Sequence, residues 1–232
     1  MTRVNRVPLG PAERDRLARL GPLPGLFARR RAARESLSQA RMVVLDLETT
    51  GPRRDRDRVV AIGAVAVVGR ALAHRDAYSS VLRQTVASTP ENILVHRIGA
   101  QRQLGGDDPA DALLSWLEYQ DGAITFAFRA EFDGAVLERE LELVLGARRA
   151  VPLLDLAALL PELFPGTSHD TLDAWSAHFR ITPVARHDAL GDAYATAQLL
   201  LIVIAAAERA GARTVADLAA LEHTQRWMGR HR

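Results

Sequence analysis

The segment Val43-Val44-Leu45-Asp46-Leu47-Glu48-Thr49-Thr50-Gly51 decides how this chain is read. It starts as an apolar run and ends in Asp-x-Glu. Strand side chains alternate faces with period 2, so Asp46 and Glu48 share one face of a largely buried strand. Two crowded carboxylates are costly unless a cation or a proton lies between them. A divalent metal is the simplest physical explanation, and all-oxygen ligands favour Mg²⁺ or Mn²⁺.

Working outward, two further segments carry acids in suggestive places. Phe128-Arg129-Ala130-Glu131-Phe132-Asp133 follows a short apolar strand, Ala123–Phe128, and opens a helix that runs to Leu145. His187-Asp188-Ala189-Leu190-Gly191-Asp192 precedes the most apolar helix of the chain. Taken singly, Asp133 and Asp192 suit helix capping or the helix dipole. Asp46 and Glu48 at an apolar strand end have no such ordinary role. His187 has a side chain that titrates near neutrality and suits a general base. Its five-residue step to Asp192 would point it away on a continuous helix. The expected solution is a loop position for His187, with Asp188 as the helix cap.

Together the three segments resemble the motifs of the DEDDh 3′–5′ exonucleases, the family that includes the proofreading subunit of bacterial DNA polymerase III. Asp46-Leu47-Glu48-Thr49-Thr50-Gly51 matches the first motif, Asp-x-Glu-Thr-Thr-Gly, throughout. Phe132-Asp133 matches the end of the second. His187, Ala189 and Asp192 match the third, His-x-Ala-x-x-Asp. The resemblance runs from about residue 42 to 204 and implies an α/β, ribonuclease-H-like fold: a mixed five-stranded sheet flanked by helices.

The resemblance also implies a chemistry, hydrolysis of phosphodiester bonds from a 3′ end with release of 5′-phosphomonoesters. Asp46, Glu48, Asp133 and Asp192 would hold two Mg²⁺ or Mn²⁺ ions, and His187 would activate the attacking water. Two metals about 3.5–4 Å apart suit in-line attack at phosphorus and a leaving oxygen. Thr49, Thr50 and Gly51 would grip the terminal nucleotide, Gly51 by allowing an unusual turn. His96, in Val95-His96-Arg97-Ile98, resembles a substrate-side segment. Arg129 stands where family members often carry other polar residues and is expected either at a phosphate or in solvent. Single-stranded 3′ ends, DNA above RNA, are the implied partners, and a DNA polymerase is a further one. RNA ends or short oligonucleotides would be served by the same chemistry. The rival of another class is a non-catalytic, polymerase-associated nucleic-acid-binding module, which has no need of four clustered acids.

Composition sets outer bounds. The chain has 232 residues, 48% of them hydrophobic and 25% charged, enough for one domain and an extension. No cysteine is present, which excludes disulfides and thiolate zinc sites and makes a cytoplasmic location the expectation. No apolar h-region follows the start, so no secretory signal is expected. Residues 193–207 are apolar but short for a membrane span, and a buried helix is expected there. Every basic residue is Arg; without Lys no Walker motif can form. Residues 1–41 hold ten Arg against three acids, +7, and the remainder twenty Arg against twenty-five acids, −5. The expected organisation is an Arg-rich extension with a short helix over 1–40, the exonuclease domain over 41–210 and a helical tail over 211–232. The run Arg29-Arg30-Arg31 is either a solvated helix face or a phosphate or partner patch.

Overall fold

The computed structural model describes residues 8–20, 32–147, 151, 153–167, 169–182 and 187–229. Helix α1 (Pro11–Arg19) is followed by β1 (Arg41–Thr49), β2 (Val59–Val68) and β3 (Ala71–Val81). Short connections between apolar runs enforce an antiparallel meander. The β2–β3 turn needs Gly69: its φ is +58°, and a Cβ there would come closer than 3.0 Å to the Ser38 carbonyl oxygen. Two short helices, α2 (Pro90–His96) and α3 (Ala100–Leu104), precede α4 (Pro109–Gln120). The chain then alternates through β4 (Ile124–Ala127), α5 (Ala130–Leu145), β5 (Leu153–Asp155) and α6 (Leu156–Leu163). Helices α7 (Leu172–His178), α8 (Ala189–Arg209) and α9 (Val215–Gly229) complete it.

The sheet order is β3-β2-β1-β4-β5. β2 is antiparallel to both β1 and β3, whereas β1, β4 and β5 are parallel. This is the mixed five-stranded sheet flanked by helices that the sequence implied. Element ends differ by a few residues. Helix α7 starts at Leu172 because Thr171 is its cap and accepts from the Ala174 N–H at 3.1 Å.

The period of β1 divides the core. Val43, Leu45 and Leu47 face one apolar cluster with Trp116 of α4 and Leu137 and Leu141 of α5. Met42 and Val44 face the other, with Trp175 of α7 and Ala193, Ala197, Leu200 and Val203 of α8. Helix α8 is long and apolar enough to cross a membrane by composition, but 67% of its most apolar window is buried in the protein. It is the helix on which this face of the sheet rests.

The described part of residues 1–40 lies against the main body. Arg16 of α1 grips α4 through Glu118 Oε1 and Oε2 at 2.8 Å and Asp111 Oδ1 at 3.0 Å. Leu9, Leu17 and Leu20 pack on the α4–α5 side of the core. Leu37 is fully buried, and its N–H donates to the Arg213 carbonyl at 2.9 Å. Arg29-Arg30-Arg31 lies outside the described residues. Arg16→Ala should therefore loosen α1. A fall in stability of about 1 kcal/mol is expected, because exposed ion pairs are individually weak but these share one guanidinium. Chemical denaturation checks the size, and faster proteolysis within residues 8–20 checks the place.

Candidate active site

Strand β1 delivers the first two acids on the face where Met42 and Val44 are apolar. Toward its carboxyl end the same row changes to Asp46 and Glu48, both only partly exposed. Helix α8 begins over this point. Asp192, in its first turn, is 7% exposed, and ligand oxygens of Asp46, Glu48 and Asp192 all lie within 4.8 Å of one another. Asp133 enters from the first turn of α5 and is equally buried. Its carboxyl is held well above the usual range by burial first and then by the charges of Asp155 and Glu48. Glu48 is pushed up to about 7 by burial, then by Asp192 and Asp188. The donor set is wholly carboxylate, and its crowding raises proton affinity. Both properties fit a hard divalent cation taking the place of those protons.

His187 lies on the loop before α8, as its spacing to Asp192 required. It is exposed, has a left-handed φ of +56°, and its backbone N–H donates to Asp192 Oδ2 at 3.1 Å. Asp188 caps α8 by accepting from the Gly191 N–H at 3.0 Å. One turn of chain therefore fixes the histidine, the cap and the buried acid together.

The Thr49-Thr50-Gly51 turn follows a register shift between Glu48 and Thr49. Thr49 Oγ1 donates to the Gly51 carbonyl at 2.8 Å, and Thr50 Oγ1 donates to Asp57 Oδ1 at 3.2 Å while accepting from the Arg58 N–H at 2.9 Å. A Cβ on Gly51 would meet Asp57 Oδ2 at 2.7 Å. An open groove of about 410 Å³ runs past this turn, lined by Thr50, Gly51, Asp57, Asn92 and Val95 among others.

A family model described as exonuclease, of the RNase T type, matches residues 43–200. The chain belongs to this exonuclease family. Among its relatives, the DNA polymerase III subunit epsilon of Salmonella typhimurium is 29% identical over 208 residues, covering 84% of this chain and 81% of that protein. A DNA polymerase III subunit epsilon-like protein of Rhodobacter capsulatus is 29% identical over 185 residues, 78% of this chain and 26% of that protein. The match to the PolC-type DNA polymerase III of Caldanaerobacter subterraneus spans only 13% of that protein. Among solved structures, exonuclease X in complex with 5′ overhanging duplex DNA is similar with a TM-score of 0.57 at 20% identity, over 78% of this chain and 99% of the other. E. coli exonuclease I in complex with a dT13 oligonucleotide gives a TM-score of 0.61 at 16% identity, over 74% of this chain and 42% of the other. The fold is that of the ribonuclease-H-like exonucleases.

Two expected substrate contacts sit differently from the rest. His96 is 2% exposed, and its Nδ1 accepts from the Ile98 N–H at 3.0 Å. Its Nε2 lies 3.4 Å from Ser88 Oγ, and burial pushes the ring below its ordinary pKa. The structure thus gives His96 a packing role in place of the expected substrate contact: its ring alone turns in from the end of α2, while Leu94 and Val95 stay exposed. Arg129 is exposed at φ +60°, and its backbone N–H donates to Asp155 Oδ1 at 2.9 Å. Asp155 also caps α6 through the Ala157 N–H at 2.9 Å. Asn92 had no signal in the sequence. Its Nδ2 donates to the Thr49 carbonyl at 2.6 Å, across 43 residues of chain.

The raised Glu48 carboxyl makes the metal-free protein sensitive to alkali. Between 4.5 and about 7 the folded state keeps a proton that the unfolded chain releases. The stability that the Glu48 proton contributes is therefore full below 4.5 and is lost as pH rises through about 7. In EDTA, stability should fall by on the order of 1–3 kcal/mol between pH 5 and pH 8, seen as a lower melting temperature. Glu48→Gln should flatten that slope, and Mg²⁺ should restore the parent at pH 8; thermal melts across the pH series check both.

Proposed function

We propose that this chain is a 3′–5′ exonuclease acting on single-stranded DNA ends with two Mg²⁺ or Mn²⁺ ions, within the cytoplasm. The observation that carries the reading is the convergence of Asp46, Glu48 and Asp192 within 4.8 Å, with Asp133 buried beside them. When bound, divalent ions supply Lewis-acid stabilisation of charge at the phosphoryl group. Asp46 and Glu48 of β1, Asp133 of α5 and Asp192 of α8 would hold such ions. His187, exposed beside Asp192, removes the proton from the attacking water. The Thr49-Thr50-Gly51 turn holds the terminal nucleotide by close backbone approach.

The choice of DNA follows from the names of the relatives, which are DNA polymerase III subunits, and from the oligonucleotide held by E. coli exonuclease I. Association with a DNA polymerase is part of the proposal on the same ground. The matched span includes every motif residue from Asp46 to Asp192, which favours an active enzyme over a binding module.

Digestion of matched single-stranded DNA and RNA labelled at the 5′ end tests the reading. A Mg²⁺-dependent ladder of shortened labelled DNA products is expected, abolished by EDTA. Release of labelled mononucleotide at once would reverse the polarity, and no digestion would leave the binding module.

Two substitutions resolve the roles. Asp46→Asn should abolish hydrolysis with the fold retained, because a neutral amide is a poor ligand for a hard cation. Activity within a few-fold of the parent sinks the assignment of Asp46. His187→Ala should lower turnover by ~10²–10⁴-fold. Calorimetry should find its Mn²⁺ binding intact; loss of binding sites would make His187 a ligand.

A further inference from the structure

The three carboxylates converge only because the start of α8 lies directly on the β1–β2 pair. Gly63 is the residue beneath it. In the antiparallel register Gly63 is the partner of Asp46, and residues directly opposite in such a pair present their side chains on the same face. That face is the one carrying the acids. A Cβ built on Gly63 would come closer than 3.0 Å to the carbonyl carbon and oxygen of Ala189 and the nitrogen of Leu190. Ala189 and Leu190 open α8, and Asp192 follows in the same turn. All three obstructing atoms are backbone, so no rotamer change relieves them. Gly63 is not needed for its dihedral freedom, since its φ lies outside the left-handed region; what the site uses is the missing methyl group.

We propose that Gly63 is a positioning residue of the active site: its lack of a side chain seats the first turn of α8 against β2 and so brings Asp192 to Asp46 and Glu48. With a methyl group at 63, the helix start must retreat until the contact reaches the ordinary 3.4 Å or more. The far part of α8 is buried against Val44, Val65 and Val67, so the helix tilts away at its start rather than leaving as a whole. Asp192 moves with that turn, and so does the His187 backbone bonded to it. Coordination that demands near-octahedral geometry does not tolerate such a displacement. The inference rests on the reading that these carboxylates hold divalent ions.

The test compares Gly63→Ala with Gly106→Ala in the full chain. Gly106 also faces a backbone obstruction, the Val81 carbonyl oxygen at 2.4 Å against 2.1 Å for the nearest atom at Gly63, but outside the acidic group. Mn²⁺ affinity is read by calorimetry, folding by circular dichroism melts, and kcat and KM on a labelled oligonucleotide. Gly63→Ala should weaken Mn²⁺ binding at least tenfold and lower kcat about 10²-fold with KM little changed, as expected for misplacement of ~1 Å. Gly106→Ala should lose stability and keep the parent's Mn²⁺ affinity. A folded Gly63→Ala with Mn²⁺ affinity and kcat within twofold of the parent overturns the proposal. So does a Gly106→Ala that weakens Mn²⁺ as much, since the effect is then general destabilisation. If Gly63→Ala does not fold, Ala61→Val decides. Ala61 pairs with Glu48 and shares a buried cluster with Ala189, so it is a milder wedge under the same helix end. A severalfold weaker Mn²⁺ affinity in folded Ala61→Val supports the proposal, and an unchanged one rejects it. A parent that binds no Mn²⁺ removes the metal reading itself, and the proposal with it.

Discussion

The contact between the start of α8 and the β1–β2 pair is the constraint on which the molecule depends. It forces carboxylates from a strand and a helix into one small volume. The cost appears in the protons: Glu48 is pushed up to about 7, and Asp133 is held well above the carboxylate range. Such crowding persists only if the surrounding packing over-determines it. The packing here is the apolar length of α8, whose Ala193, Ala197, Leu200 and Val203 are buried against the sheet. Strain at the helix start is thus offset by burial along the rest of the helix.

The Thr49-Thr50-Gly51 turn is held by a different part of the fold. Arg58 forms a close ion pair with Glu140 of α5, whose side chain is 1% exposed. The neighbouring Arg139 donates to the carbonyls of Asp57 at 2.6 Å and Arg56 at 2.9 Å. Asp57 in turn accepts from the Arg53 N–H at 2.7 Å and from Thr50 Oγ1. Helix α5 therefore positions two things at once: Asp133 at its beginning and the Thr49–Gly51 turn through its middle. Breaking a buried ion pair leaves an uncompensated charge, so the two functions are tied to one element.

The described part of the N-terminal segment has a position that composition leaves open. Ten Arg in the first 41 residues suggest a solvated appendage. Yet Arg16 finds its acidic partners 95 and 102 residues away, on α4. The interleaving of Leu9, Leu17 and Leu20 with those charges is the only local trace of this docking, and it is too sparse to separate a packed helix from a floating one.

By itself the sequence determined the strands, the long helices and the placing of two acids on one strand face. The β1 run shows its two-faced burial directly in its alternation, and Asp-x-Glu on one face already requires a cation or a proton. The five-residue spacing from His187 to Asp192 was enough to place the histidine on a loop. Only the tertiary structure decided which residues stand behind them. His96, legible as a substrate contact, is turned inward at the end of an otherwise exposed helix, where the Ile98 N–H and Ser88 Oγ meet its ring. Asn92 reaches Thr49, and Asp155 braces the backbone of Arg129, through contacts that no local pattern encodes. Gly63 in the middle of β2 reads as an ordinary weak spot in a strand, until the first turn of α8 is laid across it. Local periodicity records which face a side chain takes; it does not record what arrives at that face from elsewhere in the chain.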